Sequence, residues 1–221
     1  GRKIHNPVDK DWLTPEGIIK YSNNVCMAHI GMKLGQVGLR HVIDHFGFAQ
    51  KTGIDFPYES AGIFDDTGTW RDMRIANLAF GQGISVTAIQ MVRAMSVIAN
   101  GGWLVQPYIV DSMVSGTGEQ IDMSPRARRK KTFSPETMDL MKRYLHSVTS
   151  EEGTGKNARI GGYEIAGKTG TAQIYDAKEK AYSHKKVVSS FIGFAPVKDP
   201  KIVTYIVLYQ PEGGEHGGTI A

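Results

Sequence analysis

Apolar residues recur at helical spacing in the first half of the chain. From Val25 onward they lie along one face of a predicted helix. Ser22 or Asn23 is suited to cap the start of this helix, and Gly35 is suited to end it. The segment 37–46 has the same periodicity and predicts a second helix directly after the first.

Two further helices are predicted by their capping residues. The segment 87–90 reads T-x-x-Q, a capping box, and it precedes the apolar run 91–98. The Asn-Gly-Gly sequence at 100–102 ends that helix. Serine followed by proline at 134–135 supplies an N-cap and a proline at the first helical position, which predicts a helix to about residue 147.

The pattern changes to strands toward the C-terminus. Segments 163–174, 187–195 and 202–209 are rich in Val, Ile, Phe and Tyr and predict three strands. The short, charged link 175–186 predicts a hairpin between the first two, and segment 103–114 also reads as extended. Helices followed by a meander of strands indicate an α+β fold with a mainly antiparallel sheet.

Composition narrows the class of protein without identifying it. The chain has 221 residues, with 41% hydrophobic and 22% charged, which is typical of a globular domain and excludes disorder. Its net charge is +4, but the run 126–131 alone contributes +5, so the basicity is local and we predict no nucleic-acid surface. Cys26 is the only cysteine, which excludes an internal disulfide and a cysteine-based zinc site.

The sequence contains neither a signal peptide nor a run of eighteen apolar residues. We therefore expect any membrane anchor to lie outside this segment.

Two short motifs supply the groups that serine acyl transfer requires. They are Ser22-Asn23-Asn24 at a predicted helix start and Lys168-Thr169-Gly170-Thr171 on a predicted strand. Such an enzyme needs a nucleophile, a group that moves its proton, an oxyanion hole and a clamp for the substrate carboxylate. In the first motif a hydroxyl and an amide lie two residues apart and can point into one cleft. In the second, Gly170 leaves room for a substrate along the strand edge.

Together the two motifs resemble the second and third boxes of the penicillin-binding proteins and class A β-lactamases. The residues around them resemble the class B penicillin-binding proteins of the division type, in order and over nearly the whole chain. The matching segments are 20–25 (KYSNNV), 80–83 (FGQG), 86–87 (VT), 99–102 (ANGG), 153–155 (GTG), 166–173 (AGKTGTAQ), 191–196 (FIGFAP) and 217–219 (GGT).

This resemblance implies a role for each side chain. Ser22 would relay a proton toward the leaving group, and Asn24 would hydrogen-bond the acyl-donor peptide. Lys168 would supply positive charge near the nucleophile and the substrate carboxylate. The hydroxyls of Thr169 and Thr171 would bind that carboxylate, and the backbone N–H of Thr171 would form half of the oxyanion hole.

The resemblance also implies a fold, a reaction and a location. The fold would be the penicillin-binding, β-lactamase-like transpeptidase fold, with helices on both sides of the sheet and the active site between sheet and helices. The enzyme would be a D,D-transpeptidase that cross-links peptidoglycan stem peptides and is acylated by β-lactams, without metal or cofactor. It would act at the extracytoplasmic face of the bacterial cytoplasmic membrane, beside cell-wall or divisome membrane proteins.

One part of the family pattern falls outside this sequence. The S-x-x-K box that carries the nucleophile lies some tens of residues before the second motif, and the string at 183–186 (SHKK) follows the third motif instead. We therefore expect residues 1–221 to be a partial transpeptidase domain, incomplete at both ends, with its nucleophilic serine upstream.

Two other functions remain open on the same fold. One is a β-lactamase or β-lactam-sensing domain, and the other is a non-catalytic module without a nucleophile. The T-A-Q sequence after the third motif and the G-Q-G segment favour the transpeptidase. A Ser-x-x-Lys upstream would support an enzyme over the non-catalytic module.

Three rival signals are weaker. Residues 162–169 satisfy the P-loop string G-x-x-x-x-G-K-T, but the middle reads as strand and the following residues oppose a helix start. His41 and His45 share a helix face, yet a clear third metal ligand is missing, so a surface or packed position is preferred. Cys26 lies on the helix beside Met27, which favours core packing.

Overall fold

The computed structural model describes residues 4–6, 8, 10, 12–124, 128–176 and 181–212. Within them the α-helices are α1 (Pro15–Lys20), α2 (Asn24–His45), α3 (Asp72–Ala79), α4 (Ala88–Ala99) and α5 (Pro135–Val148). The strands are β1 (Trp103–Val105), β2 (Ser112–Val114), β3 (Gln120–Asp122), β4 (Arg129–Lys131), β5 (Ala166–Asp176), β6 (Ala181–Ala195) and β7 (Ile202–Tyr209).

The main sheet is an antiparallel meander in the order β5-β6-β7. Lys168 of β5 pairs with Ile192 of β6, and Ile192 pairs with Tyr205 of β7. Two small antiparallel pairs, β1 with β4 and β2 with β3, lie outside this sheet. The predicted α+β class with an antiparallel sheet is confirmed.

The apolar interior forms two clusters. The larger one packs α4 and α5 against the sheet, and its buried members include Met95, Met138, Leu145, Ile192 and Phe194. The smaller one joins α2 to α3 through Leu39, Trp70, Ile75 and Leu78. The described part of the molecule therefore has a sheet-based core and a separate helical core, which are joined by the rest of α2 and the loops around it.

Helix α2 follows the prediction of two helices in succession. Asn23 is its N-cap, and the Asn23 side chain accepts a hydrogen bond from the N–H of Cys26 at 2.8 Å. Gly35 lies inside the helix with φ 65° and ψ −175°, so the helical geometry breaks where the sequence predicted a stop. The two helices are thus continuous along one element with a kink at the glycine.

The other predicted caps are confirmed. Thr87 and Gln90 form the complete reciprocal capping box of α4. Ser134 caps α5, whose first residue is Pro135. Strand β7 has the bounds that its sequence predicted.

Two helices escaped prediction because they are short. Helix α1 has six residues and follows Thr14, whose hydroxyl accepts from the N–H of Gly17. Helix α3 has eight residues, and its N-cap residue Arg71 makes no side-chain cap. Such lengths carry too few turns for apolar periodicity to be distinctive, and both helices depend on packing against a neighbour.

Three strand boundaries differ from prediction. Strand β5 begins at Ala166, because Ile160 and Tyr163 form a bridge that turns the chain first. Segment 106–111 is not a strand, since the carboxylate of Asp55 takes the N–H groups of residues 109 and 110. The predicted link 175–186 is partly strand, because residues 175–176 of β5 pair with residues 181–182 of β6 before the register shifts.

Parts of three predictions lie outside the described residues: the tip of that hairpin at 177–180, the start of the basic run at 126–127, and the GGT segment at 217–219. Among the helices described, none combines the length and apolar character needed to cross a membrane.

Candidate active site

Ser22 lies in the junction between α1 and α2. The chain leaves α1 through Tyr21, and the N–H of Ser22 still bonds to the carbonyl of Ile19 at 3.2 Å. Ser22 has φ 54°, the left-handed conformation that non-glycine residues rarely adopt. The next residue, Asn23, is 1% exposed, and its Nδ2 has no hydrogen-bond partner among the described residues. The left-handed conformation of Ser22 and the buried side chain of Asn23 thus fix the backbone at this turn.

Lys168 reaches Ser22 from the sheet. It lies on β5, and its Nζ donates to the Oγ of Ser22 at 2.8 Å and to the carbonyl of Thr169 at 3.0 Å. Burial disfavours the charged ammonium and lowers the pKa of Lys168 to about 8. At neutral pH the group remains mostly protonated, so it presents a desolvated positive charge to the serine hydroxyl.

The rest of the K-T-G-T motif continues along β5. Thr169 and Thr171 fall on the same face by strand alternation, and Thr171 is exposed. A Cβ on Gly170 would lie 2.6 Å from the hydroxyl oxygen of Ser190 on the neighbouring strand. The glycine therefore also serves close packing within the sheet, in addition to the open edge that its sequence position suggested.

Asn24 is directed elsewhere. Its Nδ2 donates to the carbonyl of His5 at 2.9 Å, rather than to Ser22 or Lys168. The neighbouring N–H of Val25 bonds to the side chain of Asn6, so a stretch before α1 lies against the start of α2. The structure thus brings Ser22 and Lys168 together, while the substrate-binding role of Asn24 stays a prediction.

A segment that follows α5 ties the two motifs together. Glu152 contacts Lys20 Nζ at 3.1 Å and Tyr21 Oη at 3.2 Å, directly before Ser22. This ion pair raises the pKa of Lys20 and lowers that of Glu152. Thr154 bonds to the Lys20 carbonyl through both its N–H and its hydroxyl, each at 3.3 Å.

Thr154 also bonds to the second motif, since the hydroxyl of Thr169 donates to its Oγ1 at 3.2 Å. Sequence reasoning assigned no role to Glu152 or Thr154, because 132 residues separate Glu152 from its lysine partner. The only local signal is the G-T-G segment at 153–155, which is part of the family resemblance.

A large cavity opens beside the site. It has a volume of about 1070 Å³ and is lined mainly by apolar side chains of α2, of the loop before α4 and of the sheet. Leu39 and Leu78 from the helical cluster line it, as do Met91 and Tyr205 beside the sheet cluster. Gly170 and Thr171 form part of its wall. The cavity therefore lies between the two apolar clusters and reaches the candidate site.

The rival signals from the sequence lose their structural support. Lys168 and Thr169 of the P-loop string lie inside strand β5, which continues to residue 176 where a P-loop needs a helix. Ser183 and Lys186 of the S-x-x-K string lie in an irregular part of β6, where the pairing with β5 shifts register. The Ser183 hydroxyl accepts there from the backbone N–H of Lys186 at 3.0 Å, and this string follows the third motif in the hairpin between β5 and β6.

The histidine pair is a packing contact. The rings of His41 and His45 stack with centroids 3.8 Å apart, and Nδ1 of His45 bonds to the His41 carbonyl. Within the described ranges, no three His, Cys, Asp or Glu residues come together as metal ligands. Cys26 is half-buried on α2.

Comparison with known sequences agrees with this geometry. The family model of the penicillin-binding protein transpeptidase domain matches residues 2–221. Stage V sporulation protein D of Bacillus subtilis is 40% identical over 206 residues, covering 92% of this chain and 31% of that protein. Penicillin-binding protein PbpB of Mycobacterium tuberculosis is 31% identical over 210 residues, which cover 92% of this chain and 31% of that protein. The probable peptidoglycan D,D-transpeptidase PbpC of Pseudomonas aeruginosa is 27% identical over 222 residues, which cover 100% of this chain and 37% of that protein. The chain thus spans about a third of the length of these relatives.

Solved structures give the same result. Penicillin-binding protein 3 of Mycobacterium tuberculosis, without ligand, superposes with a TM-score of 0.88 at 30% identity, covering 97% of this chain and 50% of that one. Its complex with aztreonam superposes with a TM-score of 0.85 at 31% identity, covering 95% of this chain and 49% of that one. With Lys168 of the K-T-G-T strand bonded to Ser22 of the S-N-N turn and a family match over residues 2–221, this chain belongs to the penicillin-binding protein transpeptidase domain family.

Proposed function

We propose that residues 1–221 form the acyl-donor and proton-transfer half of a peptidoglycan D,D-transpeptidase active site. The observation that carries the proposal is the 2.8 Å hydrogen bond from Lys168 Nζ to Ser22 Oγ. An ammonium that donates to a serine hydroxyl leaves the hydroxyl proton available and stabilises negative charge on its oxygen. This pair is therefore suited to pass a proton to a departing amine.

The reaction would be serine acyl transfer. A serine Oγ attacks the carbonyl between the two D-Ala residues of a stem peptide, and the C–N bond breaks. The proton that the attacking serine gives up passes through Ser22, which Lys168 holds in place, to the nitrogen of the departing D-Ala. An amine of a neighbouring stem peptide then attacks the acyl-enzyme ester, the C–O bond breaks, and the amine proton returns to the serine oxygen. β-Lactams would acylate the same serine.

The substrate would lie along β5. The hydroxyls of Thr169 and Thr171 share the strand face that would meet the terminal carboxylate. The N–H of Thr171 would supply one oxyanion-hole donor, and the N–H of the nucleophile would supply the other. Asn24 would bind the donor peptide after exchanging its bond to the His5 carbonyl for one to the substrate.

The nucleophile itself would come from polypeptide outside residues 1–221. The 1070 Å³ cavity supports this, because it opens to solvent and its apolar lining forms a contiguous patch of the kind that marks a contact surface. Its walls carry exposed apolar side chains of α2, among them Ile30 and Leu34 at 37% and 48% exposure. An apolar segment that bears the serine would fill this space and reach Ser22 and Lys168.

The whole protein would work at the extracytoplasmic face of the cytoplasmic membrane, where peptidoglycan stem peptides are available, and its anchor would lie outside this segment. Partners from the cell-wall or division machinery would be membrane proteins. The names of its relatives, which include a sporulation protein and D,D-transpeptidases, support a role in cell-wall synthesis.

Acylation of the full-length protein tests the proposal. The protein is incubated with a fluorescent penicillin, and peptide mass spectrometry identifies the modified residue. A synthetic stem pentapeptide, with and without an acceptor amine, then reports release of D-Ala and formation of the cross-linked product. We expect one stable adduct on a serine outside residues 1–221, and cross-linking that depends on Ser22 and Lys168.

Other outcomes separate the alternatives. Rapid release of hydrolysed penicillin, without cross-linking, would identify a β-lactamase. A stable adduct without any reaction on stem peptide would identify a sensor domain, and the absence of an adduct would identify a non-catalytic module. An adduct on Ser22 or Ser183 would overturn the assignment of the nucleophile.

A further inference from the structure

Thr154 connects both halves of the candidate site. Its hydroxyl accepts from the hydroxyl of Thr169 at 3.2 Å and donates to the carbonyl of Lys20 at 3.3 Å. Its N–H bonds to the same Lys20 carbonyl at 3.3 Å. Lys20 is two residues before Ser22 and Thr169 directly follows Lys168, so one partly buried side chain holds both motifs in register.

The flanking glycines allow this position. A Cβ on Gly153 would lie 2.0 Å from the carbonyl oxygen of Val148, and one on Gly155 would lie 3.2 Å from Val148 Cγ1 and from the Phe191 ring. The segment therefore presses against the end of α5 and against β6 only because both residues lack side chains. This close approach directs Thr154 at the two motifs.

We propose that Thr154 is a positioning residue that turns the Thr169 hydroxyl toward the substrate carboxylate. In the structure the Thr169 hydroxyl donates a hydrogen bond to the Thr154 hydroxyl oxygen. Binding a carboxylate requires that proton, because carboxylates only accept hydrogen bonds. The Thr154 hydroxyl then rotates and donates to Thr169, and Thr169 donates to the carboxylate.

The backbone makes this rotation inexpensive. When the Thr154 hydroxyl turns away, the Lys20 carbonyl keeps its bond to the Thr154 N–H. No buried acceptor is left unpaired, so the usual penalty for an unmade hydrogen bond does not arise. The two hydroxyls thus form a reversible relay. Each hydroxyl changes its hydrogen-bond partner, and each proton stays on its own oxygen.

This inference rests on the proposed function, and it predicts a selective effect. Thr154→Val keeps the shape of the side chain but removes the hydroxyl, whereas Thr154→Ser keeps the hydroxyl. In the full-length protein we expect Thr154→Val to slow acylation by a penicillin about tenfold, mainly through weaker binding before the chemical step. Thr154→Ser should stay within about twofold of the unmodified protein.

A ligand pair distinguishes positioning from general support. Each variant is tested with a penicillin that has a free carboxylate and with its methyl ester, which accepts hydrogen bonds but carries no charge. We expect the rate ratio of acid to ester to fall in Thr154→Val and to be restored in Thr154→Ser. Because both rates scale with the folded fraction, the ratio is unaffected by partial unfolding.

Two controls make the result decisive. Thr117→Val alters a hydroxyl in the β2–β3 turn, where Thr117 contacts only the Ser115 hydroxyl among the bonds described, and should leave the ratio unchanged. Lys168→Ala tests the proposed function itself. If Lys168→Ala abolishes acylation while Thr154→Val keeps the normal ratio, the relay is wrong and the function stands. If Lys168→Ala acylates normally, the proposed function fails instead.

Discussion

The Nζ atom of Lys168 lies 2.8 Å from the Oγ atom of Ser22, although 146 residues separate the two in sequence. One belongs to a strand of the main sheet and the other to the turn between α1 and α2. Their contact joins the sheet to the helical region. Thr154 bonds to both elements beside it, and Glu152 bonds to the two residues directly before Ser22.

Lys168 should contribute more to chemistry than to folding. In the full-length protein we expect Lys168→Ala to lower the rate of penicillin acylation by about 10²–10³-fold, the effect of losing one preorganised donor. Its melting temperature should change little, because removing the lysine also removes a buried charge. Lys168→Arg is the matched control, since it keeps the charge in a larger planar group. Labelling of Lys168→Ala at the normal rate would contradict the assigned role.

Acylation should depend on pH through the same lysine. Its pKa is lowered to about 8 from an ordinary value of 10.5, so the ammonium loses its proton as the pH rises through 8. If the charged form is the active one, the acylation rate falls between pH 7 and 9. Lys168→Arg stays charged and should lack this decline. A rate profile that is flat in the unmodified protein over this range would show that the charge is not required.

The same shift has a consequence for stability. Above pH 8 the folded protein releases this proton while the unfolded chain retains it up to about 10.5. Because the unfolded state then binds more protons, this group makes stability rise with pH across that window. A Lys168→Ala variant should lack this contribution when urea unfolding is measured at pH 8 and 10 relative to the unmodified protein.

Gln90 should be the most costly of the capping residues to remove. Its side chain is 1% exposed, accepts from the Thr87 N–H and donates to the carbonyls of Gln50 and Ala61. Gln90→Ala leaves these groups unpaired, and we expect a loss of about 2–4 kcal/mol in the free energy of unfolding. Gln120→Ala, which removes one exposed bond to Ser112, should cost under about 0.5 kcal/mol. Equal midpoints for the two variants in urea would be inconsistent with this network.

Residues 1–221 expressed alone should form no covalent adduct with penicillin and should melt without a sharp transition. The cavity leaves apolar side chains of both clusters exposed to solvent. Strand β7 also leaves one edge of the main sheet unpaired within the described chain. Mass spectrometry and calorimetry of the isolated segment test both points. The full-length protein serves as the control. A stoichiometric adduct or a cooperative melt of the monomeric segment would refute this expectation.

Local signals in the sequence were sufficient for the longer elements. The caps at Asn23, Thr87 and Ser134 and the break at Gly35 depend on residues within one turn, so they were predictable from spacing. The meeting of Ser22 and Lys168 was not, because no periodicity relates positions 146 residues apart. The resemblance to a known family supplied that pairing.

Three features of the structure could not be predicted from the sequence, because they depend on contacts between distant residues. Glu152 is an exposed acidic residue in a loop, and nothing near it in sequence indicates a partner at Lys20. Helix α3 depends on its contact with α2. The direction of the Asn24 amide depends on where the stretch before α1 lies. Long-range packing decides each of these, and a local pattern does not encode it.

Under the proposed function, the left-handed torsion of Ser22 sets stability and catalysis in opposition at one position. A non-glycine residue in that conformation costs about 1 kcal/mol relative to glycine, which adopts it freely. Ser22→Gly would therefore be expected to fold at least as well as the natural sequence and to lose the hydroxyl that Lys168 contacts. Mutation toward greater stability is thus available in a single step, and the proposed proton-transfer role of Ser22 would be the reason that a serine is kept at this turn.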